Sequence, residues 1–286
     1  MRQPGLVLTI LCALVLLSSC QRQEPKTETN IIRAYKLIDA NRADEAIILL
    51  EDMSAKEPKN REILVALASA NASFAGINVP SLYPAIDRAV LQETFKKLQQ
   101  EVDALSALQS AGFYKPLDGF TRHWTLMFKF LSSYIDTFRD LPFIPASKSK
   151  FLFEAISILQ SISDKTRGQA LFSAVLRVLY LKRELTENLI PMVLTGNSDE
   201  TCKLNFKSIG VIAEYLRVSG AEIASDLGAA YPAQSKDFQA NAKNLEQLST
   251  LIQTMTSSEN MLTDAAAIMA VRIGIEESLG KVIQCR

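Results

Sequence analysis

From Asn30 onward, apolar residues recur every third or fourth position, and no run alternates apolar and polar as a half-buried strand would. Ile209, Ile212, Leu216, Ile223 and Leu227 form one such stripe, and Leu245, Leu248, Ile252 and Met255 another. No Asn-Gly or Asp-Gly hairpin turn joins two alternating runs; Asp118-Gly119 falls inside a break of the helical pattern. The pattern breaks at Pro58, Val79-Pro80-Ser81, Gly112 to Gly119, Leu141 to Ser147, Gly196 to Asp199, Tyr231-Pro232 and Ser257-Ser258. About nine or ten helices fit between these breaks, and short connections between helices predict an all-α fold of stacked hairpins continuing into a bundle. Ala267 to Ile275 carries one charge, Arg272, and is expected near the core.

The first segments are the most organised. Residues 31–57 followed by Pro58 spell a helix, the turn Asn41-Arg42-Ala43-Asp44 and a second helix. Small Ala34 and Ala46 stand where two antiparallel helices would meet, with Leu37, Leu49 and Leu50 supplying apolar contact. Ala68 lies 34 residues after Ala34, preceded by Leu64 and Leu67. Ala34, Leu37, Ala46, Leu50 and Pro58 resemble the tetratricopeptide repeat (TPR), a 34-residue helix–turn–helix. Asn30 stands where that repeat usually has Trp, and Gly76, Pro80 and Pro84 interrupt the second unit, so the resemblance covers one repeat and a half. It implies a protein-interaction module that recognises partners on stacked helices. Tyr35, Asn41, Asn71 and Phe74 are the expected solvent-facing contact positions.

The N-terminus has a different pattern. One basic residue, Arg2, precedes an apolar run from Leu6 to Leu17, then Ser18-Ser19-Cys20. The run is shorter than the ~20 residues a membrane span needs, but it suits a secretory signal. Leu17-Ser18-Ser19-Cys20 resembles the bacterial lipobox. That resemblance implies cleavage after residue 19 and lipidation of Cys20, and Gln21 in place of Asp implies an outer-membrane lipoprotein facing the periplasm. Residues 20–29 then read as a lipidated cysteine and tether, the latter reaching at most about 30 Å. The expected organisation is 1–19 signal peptide, 20–29 tether, 30–80 TPR-like region and 81–286 helical domain. A bacterial lipoprotein of repeat-like helical build also resembles the TatT family, the T component associated with TRAP transporters. That family implies a periplasmic partner protein and an apolar ligand channel.

Composition narrows the chemistry. The 286 residues carry 31 Lys+Arg against 31 Asp+Glu, and the single Arg lost with the signal leaves the balance nearly neutral. Neutrality argues against nucleic acid as a partner, and it leaves the lipid rather than surface charge to hold a membrane. Cys12 falls in the signal and Cys20 is the anchor. Cys202 and Cys285 then remain, either a disulfide closing a loop worth roughly 4–5 kcal/mol or two separate thiols.

No catalytic constellation converges, and the expectation is a non-enzyme without cofactor or metal. The only histidine, His123, lies between Arg122 and Trp124 without a Cys or paired carboxylates nearby. Asp39, Asp44 and Glu45 lack the Gly and terminal Glu of a calcium loop. Ser147 to Lys150 satisfies the S-x-x-K pattern of penicillin-binding proteins, but the nearest approach to their third motif, Lys165-Thr166-Arg167-Gly168, is too close and interrupted. The plain alternative is a helix start.

Nine of the 21 aromatics fall between Phe113 and Phe143, with Trp124, Phe128 and Phe138 on one helical face. That stripe reads as core, as an apolar pocket or as an exposed patch. The pocket reading makes the protein a carrier for an apolar small molecule. The loop Leu141-Pro142-Phe143-Ile144-Pro145 places three large apolar residues between helices and must tuck inward or dock.

Overall fold

A computed structural model of the chain describes residues 26–78, 82, 141–189, 194–195, 203–204 and 206–256. Among them the fold is all-α. Seven α-helices are α1 (Lys26–Asp39), α2 (Ala43–Lys56), α3 (Arg61–Phe74), α4 (Ser149–Gln160), α5 (Arg167–Arg183), α6 (Phe206–Ala230) and α7 (Ser235–Thr256). A π-helical turn, Glu184–Leu189, prolongs α5. The sequence carries no period-2 signal, yet β1 (Leu194–Thr195) and β2 (Lys203–Leu204) pair antiparallel, Leu194 opposite Leu204. A ladder of two residues is too short to show a period. The chain forms two compact units, Met1–Ala70 and Asn71–Arg286, and the division falls inside α3.

In the first unit α1 and α2 form an antiparallel hairpin. Its open end is tied by the Thr27 hydroxyl, which donates to Glu57 at 3.0 Å. Ala34, Ala46 and Leu50 are wholly buried, with Ile31, Ile47 and Met53 beside them. The small side chains of the two alanines let the helices approach, as their spacing predicts. Leu37 and Leu49 are half-buried. The turn is closed by a left-handed residue, Asn41 (φ 58). The Arg42 amide reaches back to the Leu37 carbonyl at 2.9 Å and the Asn41 amide to Ile38 at 3.0 Å, a Schellman motif with Asn in the place of Gly. Asn60 caps α3, its Oδ1 accepting from the Glu62 and Ile63 amides, while its Nδ2 donates to Glu57. Glu57 thereby joins the start of α1, the end of α2 and the cap of α3. Residues 26–29, read from sequence as tether, are the first turn of α1.

Gly76 (φ +90) ends α3 in a second Schellman motif, with Ile77 bonded to the Ala72 carbonyl at 3.0 Å and buried.

In the second unit α6 packs along both α5 and α7, and α4 packs on α5. Leu152, Ala155, Ile156 and Leu159 turn inward from α4, Leu176 and Leu179 from α5, and Ile212, Leu216, Ile223 and Leu227 from α6. The last four reproduce the stripe seen in the sequence. Gly220 permits the close crossing of α6 and α7, because a Cβ there would lie 2.4 Å from Leu245 Cδ1. The loop before α4 tucks inward at Leu141 and Ile144, while Phe143 stays exposed. Lys182 fixes that loop by donating to the Leu141 carbonyl at 2.7 Å.

Candidate functional site

Among the described residues of the first unit, two apolar features lie at the surface. On α1, Ile32 and Tyr35 are exposed one turn apart. Burial of the Tyr35 ring raises its phenol pKa, and its hydroxyl is hydrogen-bonded to Ser69 of α3. Tyr35 thus keeps one face for solvent while bridging two helices. On α2, Ile48 is 69% exposed, the most exposed large hydrophobic among the described residues. Asp44, Glu45, Glu51 and Asp52 surround it at helical spacings of three and four. The Arg42 guanidinium grips Glu45 through two 2.6 Å hydrogen bonds and holds its carboxyl below the usual range.

The other contact positions expected from sequence have different duties. Asn41 is exposed, but its left-handed backbone is the helix terminator described above. Asn71 is only 2% exposed, which corrects the expectation that it faces solvent. It shares the inward face of α3 with Ala68 and Ala72, and Ala75 just past the helix end is buried beside them. Phe74 is half-buried rather than free: its ring meets Phe151 edge-on at 4.5 Å, and Lys148 Nζ stands 3.5 Å over its centre. Trp124, Phe128 and Phe138 lie outside the described residues, as do His123, Cys20, Cys202, Cys285 and the stretch from Ala267 to Ile275.

The S-x-x-K stretch folds as a helix start. Ser147 lies in the 3-10 turn Ala146–Lys148, Ser149 donates to the Ala146 carbonyl, and exposed Lys150 pairs with Glu154 at 3.6 Å. The Lys165–Gly168 stretch contains a capping box: Thr166 Oγ1 accepts from the Gln169 amide, and Gln169 Oε1 accepts from the Thr166 amide.

The most organised polar cluster is one that sequence reasoning missed. Asp226 of α6, 6% exposed, accepts from Lys165 at 2.8 Å, from the Ser173 hydroxyl at 2.6 Å and from Arg177 Nε at 3.0 Å. Arg177 also donates to Glu222, one turn back on α6. Two cations meet two carboxylates, and every member is hydrogen-bonded, as buried charges must be. An Asp226 carboxylate that already accepts three donors is built to lock α5, α6 and the connection before α5 in register rather than to take a proton from a substrate. Its sequence signal was available: Ser173 and Arg177 interrupt an apolar run one turn apart, and Glu222 and Asp226 repeat that spacing on α6.

Farther along the same helices, Tyr180 and Tyr215 have phenol pKa values raised first by burial, then by nearby groups that include Glu184. Tyr180 also meets Phe153 of α4 at 5.7 Å. Among the described residues no three His, Cys, Asp or Glu side chains group to hold a metal ion, and no helix is long and apolar enough to cross a membrane. No family model, no curated protein and no solved structure matches this chain.

Proposed function

We propose that this is a lipid-anchored helical-repeat protein, held at the outer membrane by Cys20 and facing the periplasm, that acts as an interaction scaffold or accessory subunit of an envelope or transport assembly. The observation that carries this reading is the first helical hairpin. Its interior is closed by Ala34, Ala46 and Leu50, all fully buried, while Ile32, Tyr35 and Ile48 are left on its outside. Ala68 is equally buried 34 residues after Ala34, in keeping with a second repeat unit. A scaffold needs this combination: a rigid support whose small residues set helix spacing, and large side chains that keep apolar surface toward solvent.

Site-specific photo-crosslinking in intact cells tests the reading. A crosslinker at position 35 or 48 should yield a discrete adduct with one envelope protein. The absence of any adduct from both positions, with the protein expressed and folded, overturns it. Cys20→Ala should release the protein from membranes, and continued membrane partition would reject the anchor.

A second reading rests on the nine aromatics between Phe113 and Phe143: a carrier for an apolar small molecule, with Trp124, Phe128 and Phe138 in the pocket. The chain has a single Trp, so its fluorescence reports on that segment alone. A shift on adding a fatty acid supports the carrier, and an invariant spectrum at saturation removes it.

A further inference from the structure

The outward face of α2 is built differently from the rest of the hairpin. Asp44, Ile48 and Glu51 follow one another at spacings of four and three, so they share one stripe, and Glu45 and Asp52 flank it. All five are exposed. Glu45 is neutralised by Arg42 and Asp52 by Lys56 at 2.5 Å. Asp44 and Glu51 form no ion pair among the described residues, so two exposed carboxylates without a paired cation stand on either side of Ile48. The inward face of the same helix holds Ala43, Ala46, Ile47, Leu50 and Met53. The fold therefore has no use for Ile48.

We propose that this face docks a basic and apolar segment of a partner protein, in which one large apolar side chain is flanked by Lys or Arg. This rests on the scaffold reading and gives its partner a chemistry. Ile48 supplies an apolar centre, and the acidic rim supplies both orientation and selection by sign. The same rim repels an anionic bilayer and nucleic acid, and an acidic peptide would meet like charge.

Fluorescence anisotropy of the full-length protein with a labelled amphipathic lysine–leucine peptide tests the assignment. The peptide should bind, and binding should weaken as salt is raised. A glutamate–leucine peptide of the same length should not bind. Ile48→Ser, and separately Asp44→Asn with Glu51→Gln, should each weaken binding about tenfold, the loss expected for a central contact. Because these side chains are exposed, unfolding midpoints should be unchanged, and Val218→Ser on the exposed face of α6 should leave binding intact. Equal affinity of the α2 variants and the parent overturns the proposal. So does binding to anionic vesicles that Ile48→Ser abolishes, which would assign the face to lipid. A crosslinked partner at Tyr35 together with peptide binding independent of α2 removes this assignment and leaves the scaffold reading standing. Absence of any partner at both positions removes the scaffold reading itself.

Discussion

Arg177 donates its Nε to Asp226 at 3.0 Å across the α5–α6 interface, with both side chains about nine-tenths buried. Removing one member of such a pair strands the other in a low-dielectric interior. Asp226→Ala leaves Lys165, Ser173 and Arg177 without their common acceptor, and a loss of about 3–5 kcal/mol is expected. Urea unfolding of the second unit's helices should show it. Replacing Arg177 and Asp226 together by Met and Leu should cost less than the two single changes combined, because neither of the two most buried charges is then left facing a missing partner, although Lys165 and Glu222 each lose one. Additive losses would show that the pair acts independently and would reject the register lock.

The left-handed positions Gly76 and Asn41 make different demands. At Gly76 (φ +90) an added methyl group would meet open space, so Gly76→Ala is penalised by backbone conformation and not by a clash. The cost should be about 1–2 kcal/mol. Asn41 (φ 58) tolerates the same region without being Gly. Asn41→Gly should therefore be neutral or slightly stabilising, whereas Asn41→Val should lower the first hairpin's stability by more than about 1 kcal/mol, on the order of the same left-handed penalty. Thermal melts of the three variants separate these outcomes. A neutral Gly76→Ala would mean that α3 does not end there.

Much of this was legible in the chain. The alanine spacing and Pro58 announced the first hairpin, and the period of α6 announced its buried face, because both depend on side-chain volume at fixed helical intervals. The duties of Asn41 and Asn71 were not legible. A polar residue near a turn reads as a surface contact, and only backbone geometry shows that Asn41 terminates a helix. Asn71 lies on an alanine-rich face that closes over it. The charge cluster at Asp226 joins residues up to 61 apart, and no local pattern pairs Lys165 with a carboxylate on α6.

Tyrosine ionisation gives a pH signature. In the folded protein Tyr215 and Tyr180 both titrate above the ordinary value of 10.0, chiefly because burial disfavours the phenolate. Below pH 10 both phenols are neutral in the folded and the unfolded chain, so their contribution to stability is intact there. Above it the unfolded chain loses protons that the folded one retains, so stability falls as pH rises from about 10 toward the raised folded values. Tyr215→Phe should flatten that fall, measured as unfolding midpoint against pH, and should remove a late step from the phenolate absorbance titration. An unchanged slope would place Tyr215 in water.

Gly220 and Leu245 offer a test of packing at the α6–α7 crossing. Alanine is favoured over glycine in a helix interior by about 1 kcal/mol, so propensity alone makes Gly220→Ala stabilising. The new methyl would stand 2.4 Å from Leu245 Cδ1, closer than any real contact. Leu245 must rotate or α7 must shift, and overpacking of this kind costs roughly 1–3 kcal/mol. The single change should therefore be destabilising or at best neutral. In a Leu245→Ala background the obstructing atom is gone, and Gly220→Ala should become stabilising by the propensity gain. A double-mutant cycle from denaturant melts reads this sign reversal directly. If Gly220→Ala stabilises both backgrounds equally, the two helices do not cross at that glycine.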